Sequence, residues 1–217
     1  NTTVTTVDTT SPIVAEVTEV TTPTNDSTPD YTFSSDDAGT ITYGGSCSSN
    51  TTLASYGNNK ITLVSLSDGT YSDCTITVNE TAGNVSNTLT VKSFEVDSTA
   101  ATLTEVTAVT TPTYDTTPDY IFYSSKAGTI SYGGSCSSST TSAVSGNNTI
   151  TLNTLSLGTY SDCTVTVTDS ASNSVTLNMS SIVVIPSYVA VGDSGTILTS
   201  SNGTSWTSKT SSTTNKL

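Results

Sequence analysis

The side chains with the most definite chemistry are four cysteines. Cys47 and Cys74 stand 27 positions apart, Cys136 and Cys163 repeat that spacing, and the chain has no others. Thiols so placed can close a disulfide or ligate a metal. Two thiolates per pair fill only half of a tetrahedral zinc site, and there is no histidine to complete it. One disulfide per pair is therefore expected, which belongs to an oxidising compartment. Closing a loop of this size is worth about 3.5 kcal/mol in the chain-entropy model, a large share of a small domain's stability.

Carboxylates are the second set. Asp8 and Asp97 occupy matching places, Glu16 and Glu105 lie eight residues further on, and Asp26, Asp30, Asp115 and Asp119 follow in the next turn. Calcium takes several oxygen ligands, and acids recurring at domain junctions could gather around it, which makes Asp8, Glu16, Asp97 and Glu105 candidate ligands. The competing reading is that each turn Asp bonds its own backbone, and no D-x-D-x-D-G loop is present. Catalysis has few candidates. With no histidine and no arginine there is neither a Ser-His-Asp triad nor a guanidinium clamp, so no enzyme is expected, and no cofactor beyond calcium.

These residues sit in a duplicated framework. TPDYTF from Thr28, AGTITYGGSC ending at Cys47 and GTYSDCTITV ending at Val78 return as TPDYIF from Thr117, AGTISYGGSC ending at Cys136 and GTYSDCTVTV ending at Val167. Laying 28–78 on 117–167 leaves roughly 37 of 51 positions identical without a gap. A chain of 217 residues with this repeat reads as two small domains with extra segments: 1–9 a strand and linker, 10–96 the first domain, 97–185 the second, and 186–217 a hairpin with a Ser/Thr-rich tail. The cores must be thin, since 33% of residues are hydrophobic and 6% aromatic. A net charge of −13 with five lysines argues against nucleic acid and anionic membranes, and no apolar run is long enough to insert into a bilayer.

Within each copy, short runs rich in Val, Ile, Thr and Tyr alternate with turn residues, the pattern of an all-β sandwich. In the first copy strands are expected over Ile13–Val20, Asp30–Ser35, Gly39–Gly45, Ile61–Leu66, Thr70–Val78 and Asn87–Val96, with a polar loop from Cys47 to Asn59. Period-two alternation puts Tyr31 with Phe33, and Ile41 with Tyr43, on single faces. The second copy loses one residue near its final hairpin, where an indel is tolerated.

Gly69-Thr70-Tyr71 ahead of Cys74, and Gly158-Thr159-Tyr160 ahead of Cys163, resemble the tyrosine corner of immunoglobulin-like domains, where a strand-F tyrosine bonds back to the preceding turn. Leu157 replaces Asp68 in the second copy, so its corner should be slightly less well satisfied. The whole unit, with its VD-T-T-S-P linker and TPT-x-D-x-TPDY turn, is similar to the bacterial Ig-like repeats of large surface adhesins. That resemblance covers about residues 8–185 and implies two tandem immunoglobulin-like β-sandwiches that hold a functional tip away from the cell. Cys47 and Cys136 depart from the antibody pattern by following the third strand. Tyr188–Trp206 is similar to one hairpin of a BNR or photosystem-assembly-factor propeller, with Asn202 where an Asp is usual.

The expected function is that of a secreted, cell-surface structural protein. NTTVTTVD at the N-terminus resembles a last strand without its domain and could add to the sheet of another copy, making a homopolymer. The alternatives are a spacer in a long adhesin or a glycan-binding module, the latter using Tyr56, Tyr114, Tyr123, Tyr188 or Trp206. Asn-x-Ser/Thr sequons begin at Asn1, Asn25, Asn50, Asn79, Asn84, Asn147, Asn178 and Asn202, each a candidate glycosylation site.

Overall fold

In a computed structural model, residues 7–200 and 202–211 are described. The chain is all-β and divides into two compact units. The first runs to Thr99 and includes Ser170–Asn173; the second comprises Ala100–Asp169 and Ser174 onward. The division thus falls three residues beyond the expected 96/97 boundary.

Among the described residues the first unit has nine strands: β1 (Val14–Thr18), β2 (Asp30–Ser35), β3 (Gly39–Gly44), β4 (Leu53–Ala54), β5 (Gly57–Thr62), β6 (Gly69–Tyr71), β7 (Thr75–Asn79), β8 (Leu89–Thr90) and β9 (Phe94–Val96). They form a sheet ordered β1-β2-β5, a second ordered β4-β3-β7-β8, and a short pair β6-β9. All these neighbours are antiparallel, and one parallel bridge, Thr24 to Val96, brings the segment after β1 against β9. This is an immunoglobulin-like sandwich order. Both sheets contribute to one core, with Tyr31, Phe33 and Ile61 from one and Ile41, Ile76 and Val78 from the other. The alternation of β2 places Tyr31 and Phe33 inward, both essentially without solvent exposure.

Several strands differ from their sequence expectation, for reasons of pairing. The expected Ile61–Leu66 strand is β5, which begins earlier because its ladder with β2 runs from Gly57 opposite Ser35 to Thr62 opposite Asp30. Thr70–Val78 is two strands: the chain leaves β9 after Tyr71 and joins β3 at Thr75. Asn87–Val96 divides likewise into β8 and β9. The polar loop expected from Cys47 to Asn59 contains β4 and the start of β5. In β1 the register slips between Glu16 and Thr18, so Val17 is the extra residue of a bulge and faces solvent.

The second unit repeats this plan with β10 (Leu103–Thr107), β11 (Asp119–Ser124), β12 (Gly128–Gly133), β13 (Ser142–Ala143), β14 (Gly146–Thr151), β15 (Gly158–Tyr160), β16 (Thr164–Thr168), β17 (Ser174–Asn178) and β18 (Ile182–Val184). Its sheets are β10-β11-β14, β13-β12-β16-β17 and β15-β18, around Tyr120, Phe122, Ile150, Val165 and Val167. The C-terminal segment is larger than the expected hairpin. β19 (Tyr188–Val191), β20 (Ile197–Ser200) and β21 (Thr207–Lys209) form a three-stranded antiparallel meander, its last strand drawn from the Ser/Thr-rich tail. The N-terminal strand expected at 1–9 lies mostly outside the described residues, and Val7–Thr9 carry no strand.

Candidate functional site

The cysteines form two bonds, Cys47–Cys74 and Cys136–Cys163. Cys47 follows β3 and Cys74 precedes β7, so each bond ties neighbouring strands of one sheet rather than bridging the sandwich. The YGGSC text is explained at the same place. Gly45 has φ +73°, and Ser46 Oγ donates to Asp73 Oδ2 at 2.9 Å; in the second copy Gly134 has φ +71° and Ser135 Oγ donates to Asp162 Oδ2 at 2.8 Å. These hydroxyl bonds hold the Asp73 and Asp162 carboxyls below the usual carboxylate range.

At the corners, Tyr71 Oη donates to the Ser67 carbonyl at 2.8 Å and Tyr160 Oη to the Ser156 carbonyl at 2.9 Å. The second corner is as well satisfied as the first, contrary to the expectation from Leu157. Asp68 serves the linker instead: its Oδ1 accepts from Ser98 N and Oγ at 2.8 and 2.6 Å, and its Oδ2 from Thr99 Oγ1 at 2.5 Å. These bonds keep Ser98 and Thr99 with the first unit.

The four acids expected to share calcium do not form one cluster. Glu16 Oε2 accepts from the Tyr31 hydroxyl at 3.0 Å and from Lys92 N at 3.3 Å. Burial and that carboxylate push the Tyr31 phenol well above its ordinary pKa. Glu105 accepts from Ser180 N at 2.9 Å and Ser180 Oγ at 2.6 Å. Burial alone would raise the Glu105 pKa, but the Ser180 bonds outweigh it and hold the group below its ordinary value. These two glutamates are local braces. Asp97 Oδ1 accepts from Thr99 N at 3.2 Å in an Asx turn, and Asp26 and Asp115 make the same turn to Thr28 N and Thr117 N, each at 2.8 Å.

Asp8 belongs to a different cluster, with Asp37 and Glu80, in which one carboxylate oxygen of each residue lies within 4.8 Å of the others. Three loops supply them. The linker brings Asp8, the β2–β3 turn Asp37, and the residue after β7 Glu80. Asp8 and Asp37 are exposed, whereas Glu80 is only 6% exposed. Asn84 Nδ2 bridges the group, donating to the Asp8 carbonyl at 3.0 Å and to Glu80 Oε1. At the same offset of 89, Lys126 stands for Asp37, Asp169 for Glu80 and Asn173 for Asn84. Lys126 Nζ lies 3.3 Å from Asp169 Oδ2, whose side chain is only 4% exposed. Asp37 and Glu80 escaped the sequence reading: Asp37 has no acidic counterpart in the second copy, and Glu80, though matched by Asp169, lies in neither a linker nor a turn-forming Asp position. The usable signal was the reversal of charge, Asp37 to Lys126.

The sequon asparagines Asn25, Asn50, Asn79, Asn147, Asn178 and Asn202 are exposed, and Asn1 lies outside the described residues. Asn84 is half-buried with its amide nitrogen committed to two acceptors, which leaves it poorly placed to carry a glycan. Asn202 Oδ1 accepts from Thr204 N and Ser205 N at 3.0 and 2.9 Å and so holds the turn before β21. Nearby, the Tyr188 and Trp206 rings stand 6.4 Å apart at 55°, both partly exposed. Among the described residues no helix is long and apolar enough to cross a membrane. No protein-family model matches this chain, and no curated protein sequence matches it.

Proposed function

We propose that this chain is an extracellular structural protein, part of a cell-surface filament or stalk in which such sandwiches follow one another, copies of the chain joining head to tail by strand addition. The observation that carries the reading is a repeated hydrogen bond. Asn84 Nδ2 donates to the Asp8 carbonyl at 3.0 Å, and Asn173 Nδ2 donates to the Asp97 carbonyl at 2.7 Å. The Asp97 stretch leads out of one sandwich toward the next in sequence. The Asp8 stretch is held by the same amide-to-carbonyl bond, so it has the bonding of an inter-repeat linker. The disulfides suit a load-bearing role, because each keeps its 27-residue loop out of any extension. A strongly acidic surface keeps a long array soluble.

Electron microscopy of the unreduced chain, with and without residues 1–8, tests this. Filaments that vanish on deletion, while both sandwiches still unfold cooperatively, are expected. Filaments unchanged by the deletion would overturn joining through the N-terminal segment. Wild-type chain that remains as single particles would overturn self-assembly and favour a spacer in a longer adhesin.

The exposed Tyr188–Trp206 pair favours a second reading, a glycan platform on the C-terminal meander. A glycan array with no hits counts against it.

A further inference from the structure

We propose that the cleft between the C-terminal meander and the Ser156–Leu157 turn binds a sugar that carries one negative charge. Strand register assembles the site. Thr207 stands directly opposite Thr199 and Lys209 opposite Ile197, and residues two apart on a strand share a face, so Thr199, Thr207 and Lys209 project from one side of the sheet. With Ser156, Leu157 and Ser205 they line a cavity of about 360 Å³. That is the size of a small-molecule site and more than a lone inorganic anion fills.

Two groups in this cleft have unmet bonding capacity. Thr199 is 6% exposed, and its Oγ1 has no hydrogen-bond partner among the described residues. A buried hydroxyl left unpaired is costly, and rotation about χ1 turns it toward the cavity, where a ligand oxygen completes the bond. Lys209 is the other. Lys60, Lys92 and Lys126 are each paired with a carboxylate, whereas Lys209 makes no ion pair among the described residues and no acid lines the cavity. In a chain of net charge −13, an ammonium among hydroxyls is open to an external anion. One ammonium balances one charge, which suits a carboxylate or a sulfate ester better than a doubly charged phosphate monoester. The hydroxyls of Ser156, Ser205 and Thr207 both donate and accept, as those of a sugar ring do, and Leu157 offers apolar surface to the ring's C–H face. Trp206 falls between Ser205 and Thr207 in sequence but does not line the cavity; its ring packs against Tyr188. The site therefore rests neither on that aromatic pair nor on filament assembly.

The experiment is an NMR titration of the isotope-labelled full chain with glucuronate, glucose 6-sulfate and glucose. At least one charged sugar is expected to shift the amide signals of Thr199, Thr207 and Lys209, to bind about tenfold more tightly than glucose, and to weaken as salt is raised. Whichever of the two binds more tightly identifies the charge as carboxylate or sulfate ester. Lys209→Met, a change at an exposed position, should weaken the charged sugar about tenfold and remove its advantage over glucose. Thr199→Val should weaken each sugar about threefold while leaving the unfolding midpoint level or higher, because the hydroxyl it removes has no partner to lose. No shift with either charged sugar overturns the proposal, as does glucose bound equally tightly or charged-sugar binding undiminished in Lys209→Met. Shifts confined to Tyr188 and Trp206 overturn it too, and assign binding to the aromatic pair.

Discussion

A side chain on Gly45 would place its Cβ 2.1 Å from the Asp73 carbonyl oxygen, and Gly134 stands 2.0 Å from the Asp162 carbonyl oxygen in the same sense. Glycine is demanded twice at each place, by the close approach and by the positive φ. Gly45→Ala is expected to cost the first sandwich about 2 kcal/mol or more, and Gly134→Ala the second. Denaturant unfolding of each variant measures it. A loss below half that value would mean that the turn and the disulfide can shift together.

Each disulfide sits at the end of a central ladder, β3–β7 in the first unit and β12–β16 in the second, and ties strands of one sheet, so it acts on the loop that it closes. Replacing Cys47 and Cys74 together by serine should cost the first unit about 3.5 kcal/mol. In force spectroscopy, reduction should add about 90 Å of contour length per domain, from 27 released residues at 3.3–3.6 Å each. Equal extension before and after reduction contradicts this placement.

Because each corner tyrosine bonds a backbone carbonyl and Asp68 bonds the linker, the two tyrosine corners should be equivalent. Tyr71→Phe and Tyr160→Phe are each expected to cost about 1 kcal/mol, the net worth of one hydrogen bond. Asp68→Ala should leave the unfolding of the core nearly unchanged while hydrogen exchange at Ser98 and Thr99 quickens. A corner loss in Asp68→Ala as large as in Tyr71→Phe would return Asp68 to the corner.

Acid should destabilise both units. Asp73, Asp162 and Glu105 have folded-state pKa values below their unfolded ones. Their stabilisation is present above the unfolded carboxylate range near pH 4 and is lost as pH falls through the lower folded values. The unfolding midpoint should stay level from pH 7 to about 5 and fall below about 4. Glu105→Gln should flatten that fall in the second unit, as circular dichroism across the range will read out. A midpoint that rises on acidification would contradict the sign.

What the sequence determined by itself is what depends on neighbours along the chain. Alternation assigned Tyr31 and Phe33 to one buried face, turn residues divided the strands, and the duplication paired Cys47 with Cys74 and Cys136 with Cys163. Tertiary structure decided where partners change. Thr70–Val78 is expected as one strand, yet it breaks at Ser72–Cys74 because β9 and β3 lie in different sheets. The bulge that turns Val17 outward is likewise a matter of register with β2. The acid cluster is the clearest case. Asp8, Asp37 and Glu80 are remote in sequence and come from three loops, and only the stacking of the two sheets brings those loops to one end. Glu16 and Glu105 have the more regular spacing, but the fold commits them to Tyr31 and Ser180. Local periodicity is written into each strand, whereas the meeting of loops depends on how whole sheets pack.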